Sequence, residues 1–149
     1  MMKSFVPFIF IAFLVYSCGL DAIQERSLNT ALIKYLAATN QNMRVSKAAA
    51  THPTFLHYYL QQGHAFFKDK FADQDSTWSD PLLGTMKKEG TVIHVEVKIR
   101  LQGRSSYEFA KKRAIIVGVS EDDGKNWFFI DGNDYFSKKI CPTFKRLLE

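Results

Sequence analysis

The chain has 149 residues, of which 46% are hydrophobic, 23% charged and two cysteine, with a formal net charge of +5. That composition supports one ordinary apolar core and excludes a disordered chain, a collagen-like repeat and a multidomain enzyme. Two cysteines cannot staple a small disulfide scaffold, so the fold rests on packing.

The N-terminus runs from Lys3 through the apolar stretch Phe5–Tyr16 to Ser17, Cys18 and Gly19. One positive charge, an apolar run and small residues are the three parts of a secretory leader. The run is shorter than the roughly 20 residues needed to span a bilayer as a helix, and Pro7 lies near its start. Val15-Tyr16-Ser17-Cys18 resembles the lipobox of bacterial lipoproteins, in which the cysteine takes a diacylglyceryl thioether and becomes the mature N-terminus. Tyr16 is bulkier than the residue usual at that place. The resemblance implies a leader over 1–17, a lipidated Cys18 with a short tether over 18–22, and a cell-envelope protein facing the periplasm or the outer surface. Cleavage nearby without lipid, giving a secreted protein, is the alternative. An exported chain does not meet nucleic acid, so Lys111-Lys112-Arg113, Lys138-Lys139 and Lys145-Arg146 are read as solvated surface or as contacts to anionic head groups. With Cys18 acylated, Cys141 has no partner within the chain.

Asp21 followed three residues later by Gln24 predicts an N-cap, and Leu28, Leu32, Tyr35 and Leu36 share one face of a helix from about Ala22 to Ala38. Asn40-Gln41-Asn42 breaks it. A short helix over Met43–Ala50 stops before Pro53, because the residue preceding proline is pushed out of the helical region. The aromatic stretch Phe55–Phe71 predicts two short helices separated at Gly63. Ser76–Glu89 is weaker and suggests a short hairpin around Asp80-Pro81-Leu82-Leu83-Gly84. From Ile93 to Leu101 the period becomes two, with Ile93, Val95, Val97 and Ile99 alternating against His94, Glu96, Lys98 and Arg100. The polar set, His94 included, is expected on the outer face in solvent. A second strand is expected over Tyr107–Val119, a tight turn over Glu121–Lys125, and a third strand over Asn126–Asp131. Lys111 and Arg113 share the parity of Phe109, Ile115 and Val117, so either a bulge resets the pattern or two cations point to the apolar side. Phe144, Leu147 and Leu148 are spaced as one face of a short terminal helix, which would cap the domain or touch the bilayer.

Helices followed by an antiparallel meander make an α+β domain with the helices on one face of a curved sheet. The order, together with Leu32-Ile33-Lys34-Tyr35-Leu36-Ala37-Ala38, the break at Asn40-Gln41-Asn42, His52-Pro53, Gly63 and the hairpin Asp123-Gly124-Lys125-Asn126-Trp127-Phe128-Phe129-Ile130, resembles the nuclear transport factor 2-like superfamily. That group includes ketosteroid-isomerase-like and polyketide-cyclase-like proteins. The resemblance spans 23–136, leaves 137–149 as an extension, and implies a cone with a central pocket and dimerisation through the sheet. Glu96 would then pair with Lys98 or Arg100 across the axis. By inferred face the pocket would be lined by Tyr35, Phe66, Trp78, Val97, Phe109 and Trp127, with Lys111 and Arg113 suited to an anionic group.

In the isomerases a tyrosine on the first helix belongs to the oxyanion hole, and Tyr35 matches it. The base does not match by position: Asp80-Pro81 falls after the third helix, which leaves Asp80 or Asp131 as candidates. His52, His57 and His64 lack the spacing of a zinc motif, Gly118-Val119-Ser120-Glu121-Asp122 lacks the final glycine of a nucleophile elbow, and nothing calls for a cofactor. One copy of Ser120-x-Asp122-x-Gly124-x-x-Trp127 cannot make a propeller and reads as a turn. These observations point to a lipid-anchored, non-catalytic domain for a small apolar or weakly anionic ligand or a protein partner. The alternatives are an enzyme of cyclase or isomerase type and a structural envelope protein acting through its sheet face.

Overall fold

The Asp21 carboxylate accepts the Gln24 N–H at 2.7 Å while Gln24 Oε1 accepts the Asp21 N–H at 3.1 Å, a closed capping box that starts helix α1 (Ala22–Asn40). The computed structural model describes residues 19–41, 43–61, 76–103 and 113–149. Helix α1 runs two residues beyond the expected end, and the Gln41 N–H closes it on the Ala37 carbonyl at 3.0 Å. Helices α2 (Arg44–Ala50) and α3 (Pro53–Gln61) follow, with Pro53 in the first turn where its missing N–H costs nothing. Between them His52 donates its backbone N–H to the Phe129 carbonyl at 3.1 Å.

Four strands form an open antiparallel sheet in chain order: β1 (Ser76–Glu89), β2 (Val92–Gly103), β3 (Arg113–Ser120) and β4 (Phe128–Asp131). The hairpin expected around Asp80–Gly84 is absent. Ser76–Glu89 is a single edge strand whose register against β2 shifts between Ser79 and Leu82 and again between Leu83 and Met86. An edge position tolerates Pro81, which cannot donate to a ladder, without a turn. A short helix α4 (Gly132–Phe136) leaves β4, with the Asp131 carboxylate accepting the Asn133 N–H at 2.8 Å.

The first face of the sheet carries Ile93, Val95, Val97 and Ile99, all between 0% and 5% exposed, and packs with Ile116, Trp127 and Phe129 beneath Leu28, Leu32, Tyr35 and Leu36 of α1. Each such side chain contributes about 1.5–3 kcal/mol on full burial. Leu20, at the start of the described residues, joins this cluster. The second face is apolar at one end, while Lys98 and Arg100 stay exposed on it. Val117, Val119 and Ile130 are covered by Phe55, Tyr135, Phe144 and Leu148. Strand β3 thus presents apolar residues on both sides, Ile116 to α1 and Val117 and Val119 to the C-terminal segment. The terminal helix expected around Phe144–Leu148 does not form. Residues 137–149 wrap the sheet in turns, because their carbonyls are taken by one side chain: Arg146 donates to the carbonyls of Tyr135, Ser137, Ile140, Cys141 and Phe144.

The β3–β4 connection explains the single Ser-x-Asp-x-Gly-x-x-Trp sequence. Asp122 accepts from Ser120 Oγ at 2.9 Å and from the Asn126 N–H at 2.8 Å, and Trp127 Nε1 donates to the Gly124 carbonyl at 3.1 Å. Gly124 has φ +83, a left-handed conformation that suits glycine. Hydrogen bonds from Asn126 hold the Asp122 carboxyl at about 2, below its ordinary 3.8.

Candidate functional site

The alternation of β2 places His94 opposite Val119, on the second face. Sequence periodicity expects this residue in solvent, yet it is 1% exposed. The C-terminal segment covers it, and Phe144 stacks on its ring at 5.7 Å with an interplanar angle of 13°. The Tyr135 hydroxyl accepts the Leu148 N–H at 3.0 Å and donates to His94 Nδ1 at 2.7 Å, and the Leu147 N–H approaches the same nitrogen at 3.4 Å. With Nδ1 accepting, the ring proton sits on Nε2. Burial, with the nearby His52 adding to it, pushes the imidazole down to about 4 from 6.5. His94 is neutral at pH 7.

His52, 4% exposed, also meets Phe144, edge to face with ring centroids 5.1 Å apart. Its Nδ1 accepts the Thr54 N–H at 3.3 Å, so Nε2 donates to Glu121 Oε1 at 2.9 Å. Glu121 comes from the β3–β4 connection and its side chain is 64% exposed. A cavity of about 350 Å³ opens between these groups and the β1–β2 turn, walled by Glu89, Val92, His94, Glu121, Phe144 and Lys145. That volume lies at the lower end of the range of small-molecule sites. Lys145 pairs with Glu89 at 2.5 Å.

Of the residues expected to line a central pocket, some fall among the described residues. Tyr35, Val97 and Trp127 are brought together in the layer between α1 and the sheet, where they are 7%, 0% and 5% exposed, and the Tyr35 ring lies 4.9 Å from Phe129. Trp78 pairs with Leu101 and Arg113 with Arg100 along the strands. Phe66, Phe109, Lys111 and Cys18 lie outside the described residues. Asp80 lies within β1, and Asp131 ends β4. Burial first, then the charges of Asp131 and Asp134, raise the Tyr35 hydroxyl above its ordinary value. Tyr59 donates its hydroxyl to Asp134. His57 pairs with Gln61 at 3.0 Å, away from His52, and among the described residues no three metal-ligating side chains gather. Glu96 meets Lys98 of its own chain at 3.9 Å.

Sequence reasoning missed His94, Tyr135, Phe144 and Arg146 as one assembly. The clue was present in Val117 and Val119, whose parity puts apolar surface beside His94 and calls for a cover, and in the aromatic C-terminus, which supplies it. No protein-family model, no curated protein and no solved structure matches the chain.

Proposed function

We propose that the chain is a non-catalytic ligand-binding domain of the bacterial cell envelope, held to a membrane by lipid on Cys18 and taking a small ligand or the end of a protein partner. The observation that carries this reading is the cavity beside His94, a concave space with a buried imidazole in its wall and polar groups converging from β1, β2 and the C-terminal segment. The helices-then-meander order supports the nuclear transport factor 2-like reading of the fold, with the cone as its finer form. An enzyme of cyclase or isomerase type would require Tyr35 to stabilise a developing anion. Tyr35 is instead packed between α1 and Phe129, where burial first and then the charges of Asp131 and Asp134 oppose negative charge at its hydroxyl, which favours the non-catalytic reading.

Native mass spectrometry of the full chain, expressed in a bacterial host and released from membranes in a mild detergent, tests it. The expected result is a diacylglyceryl mass on a chain that begins at Cys18, together with a retained small molecule that disappears in Thr143→Trp, a substitution at an exposed residue of the cavity wall. An unmodified chain with no retained mass overturns the reading.

A further inference from the structure

We propose that the cavity beside His94 is a site for a zwitterion, an ammonium joined through a few bonds to an anionic or carbonyl oxygen, with the oxygen at His94 Nε2 and the ammonium at Glu121. The inference rests on the binding-domain reading and names the ligand class for its site.

The geometry argues by elimination. His94 Nδ1 is occupied by Tyr135 and approached by Leu147. The Nε2–H of this residue, 1% exposed, therefore has to find an acceptor elsewhere, and it finds none among the described residues. A buried N–H without an acceptor is costly, so the cavity favours a ligand that brings an oxygen. Two carboxylates, Glu89 and Glu121, share the wall with one ammonium, Lys145, already paired with Glu89. A purely anionic ligand would meet that excess of negative charge. A bare cation or an apolar molecule would leave the His94 N–H unmatched. Glu121 spends one oxygen on His52 and keeps acceptor capacity for a donor, since an ionised carboxylate offers about four lone-pair sites. Phe144 and Val92 provide apolar wall for the linking carbons.

A zwitterion of this kind reaches the cavity either as a soluble compound or as the head group of a lipid. The end of the domain that carries the cavity also carries Gly19, the first described residue. Gly19 lies against Met86, three residues before Glu89, and Gln24, Asp123, Lys88 and Thr91 tie the α1 start, the β1–β2 turn and the β3–β4 connection together. A lipid on Cys18 would hold this end beside the head groups.

The test uses the full chain with ¹⁵N-labelled histidine in a neutral detergent, following the ring nitrogens of His94, with phosphoethanolamine as the probe and ethanolamine and inorganic phosphate as its separate halves. The expected result is a saturable shift of His94 Nε2 with phosphoethanolamine, at least tenfold tighter than with either half and weakened about tenfold by Glu121→Gln. The same shift in vesicles containing phosphatidylethanolamine, but not in phosphatidylglycerol vesicles, assigns the head-group source. A shift with the soluble probe alone assigns the soluble source. A His94 response equal for phosphate and phosphoethanolamine overturns the zwitterion, as does a retained native mass without an ammonium; in both, the binding-domain reading survives. No response to any probe and no retained mass overturn both.

Discussion

The two faces of the sheet are covered by different physics. Helix α1 closes the first with Leu28, Leu32 and Leu36 on Val95, Val97 and Ile99, contacts that are apolar and without direction. The C-terminal segment closes the second with aromatic rings, a His94–Tyr135 hydrogen bond and one arginine holding its own turns in place. Apolar packing tolerates changes of pH and small shifts of position, whereas a hydrogen-bonded cover depends on each donor facing an acceptor. The first face is thus held by packing alone, and the second by packing together with directional hydrogen bonds.

Four measurements sharpen or break that contrast. Leu32→Ala removes a side chain 1% exposed in the first cluster and should cost about 2–5 kcal/mol by urea unfolding. A loss below 1 kcal/mol would show that α1 is not the principal cover. Arg146→Ala should cost less, about 2 kcal/mol, and should expose residues 137–149 to limited proteolysis while the sheet stays protected. Global unfolding at the same protease dose would erase the distinction between the faces.

The third measurement is pH. His94 ionises near 4 in the folded chain against 6.5 ordinarily, so between those values the unfolded chain binds a proton that the folded chain refuses. Stability therefore falls as pH falls from about 6.5 to 4 and levels below, with a melting-temperature loss of several degrees. Protonation would also turn Nδ1 from acceptor into donor against Tyr135 and Leu147. His94→Gln should flatten the slope in that window, and an unchanged slope would remove His94 as its source. The Asp122 carboxyl, held at about 2 against 3.8, contributes stability above 3.8 that is lost as pH falls through about 2. Smallest is Gly124→Ala, which forces a side chain into φ +83 with Gln24 Cγ 2.7 Å from the added Cβ; about 1 kcal/mol should be lost, read as a lower urea midpoint.

The first face was legible in the sequence because its determinants are local. A capping box fixes where α1 begins, helical spacing fixes which face it turns inward, and the alternation of Ile93–Leu101 fixes the partner surface. The candidate site was not legible, because its residues come from β2, α4 and the last turns, and no local pattern joins His94 to Tyr135 or Phe144. Alternation sorts residues by polarity and sends a histidine outward. It cannot register that a segment about 50 residues later carries three large apolar side chains needing somewhere to go. The weak reading of Ser76–Glu89 failed for a related reason, since proline and glycine punctuate a turn only when the neighbouring strand does not hold the segment extended.

The two register breaks in β1 bear on crowding. Among the described residues β1 has no neighbour on its outer side, and a long straight edge of that kind is a template for chain-to-chain polymerisation. Pro81, which has no N–H, lies in the first break, the two breaks interrupt the regular spacing of the edge, and Lys87 and Lys88 add charge near its end. Copies concentrated on a surface would therefore meet without zipping edge to edge into fibres.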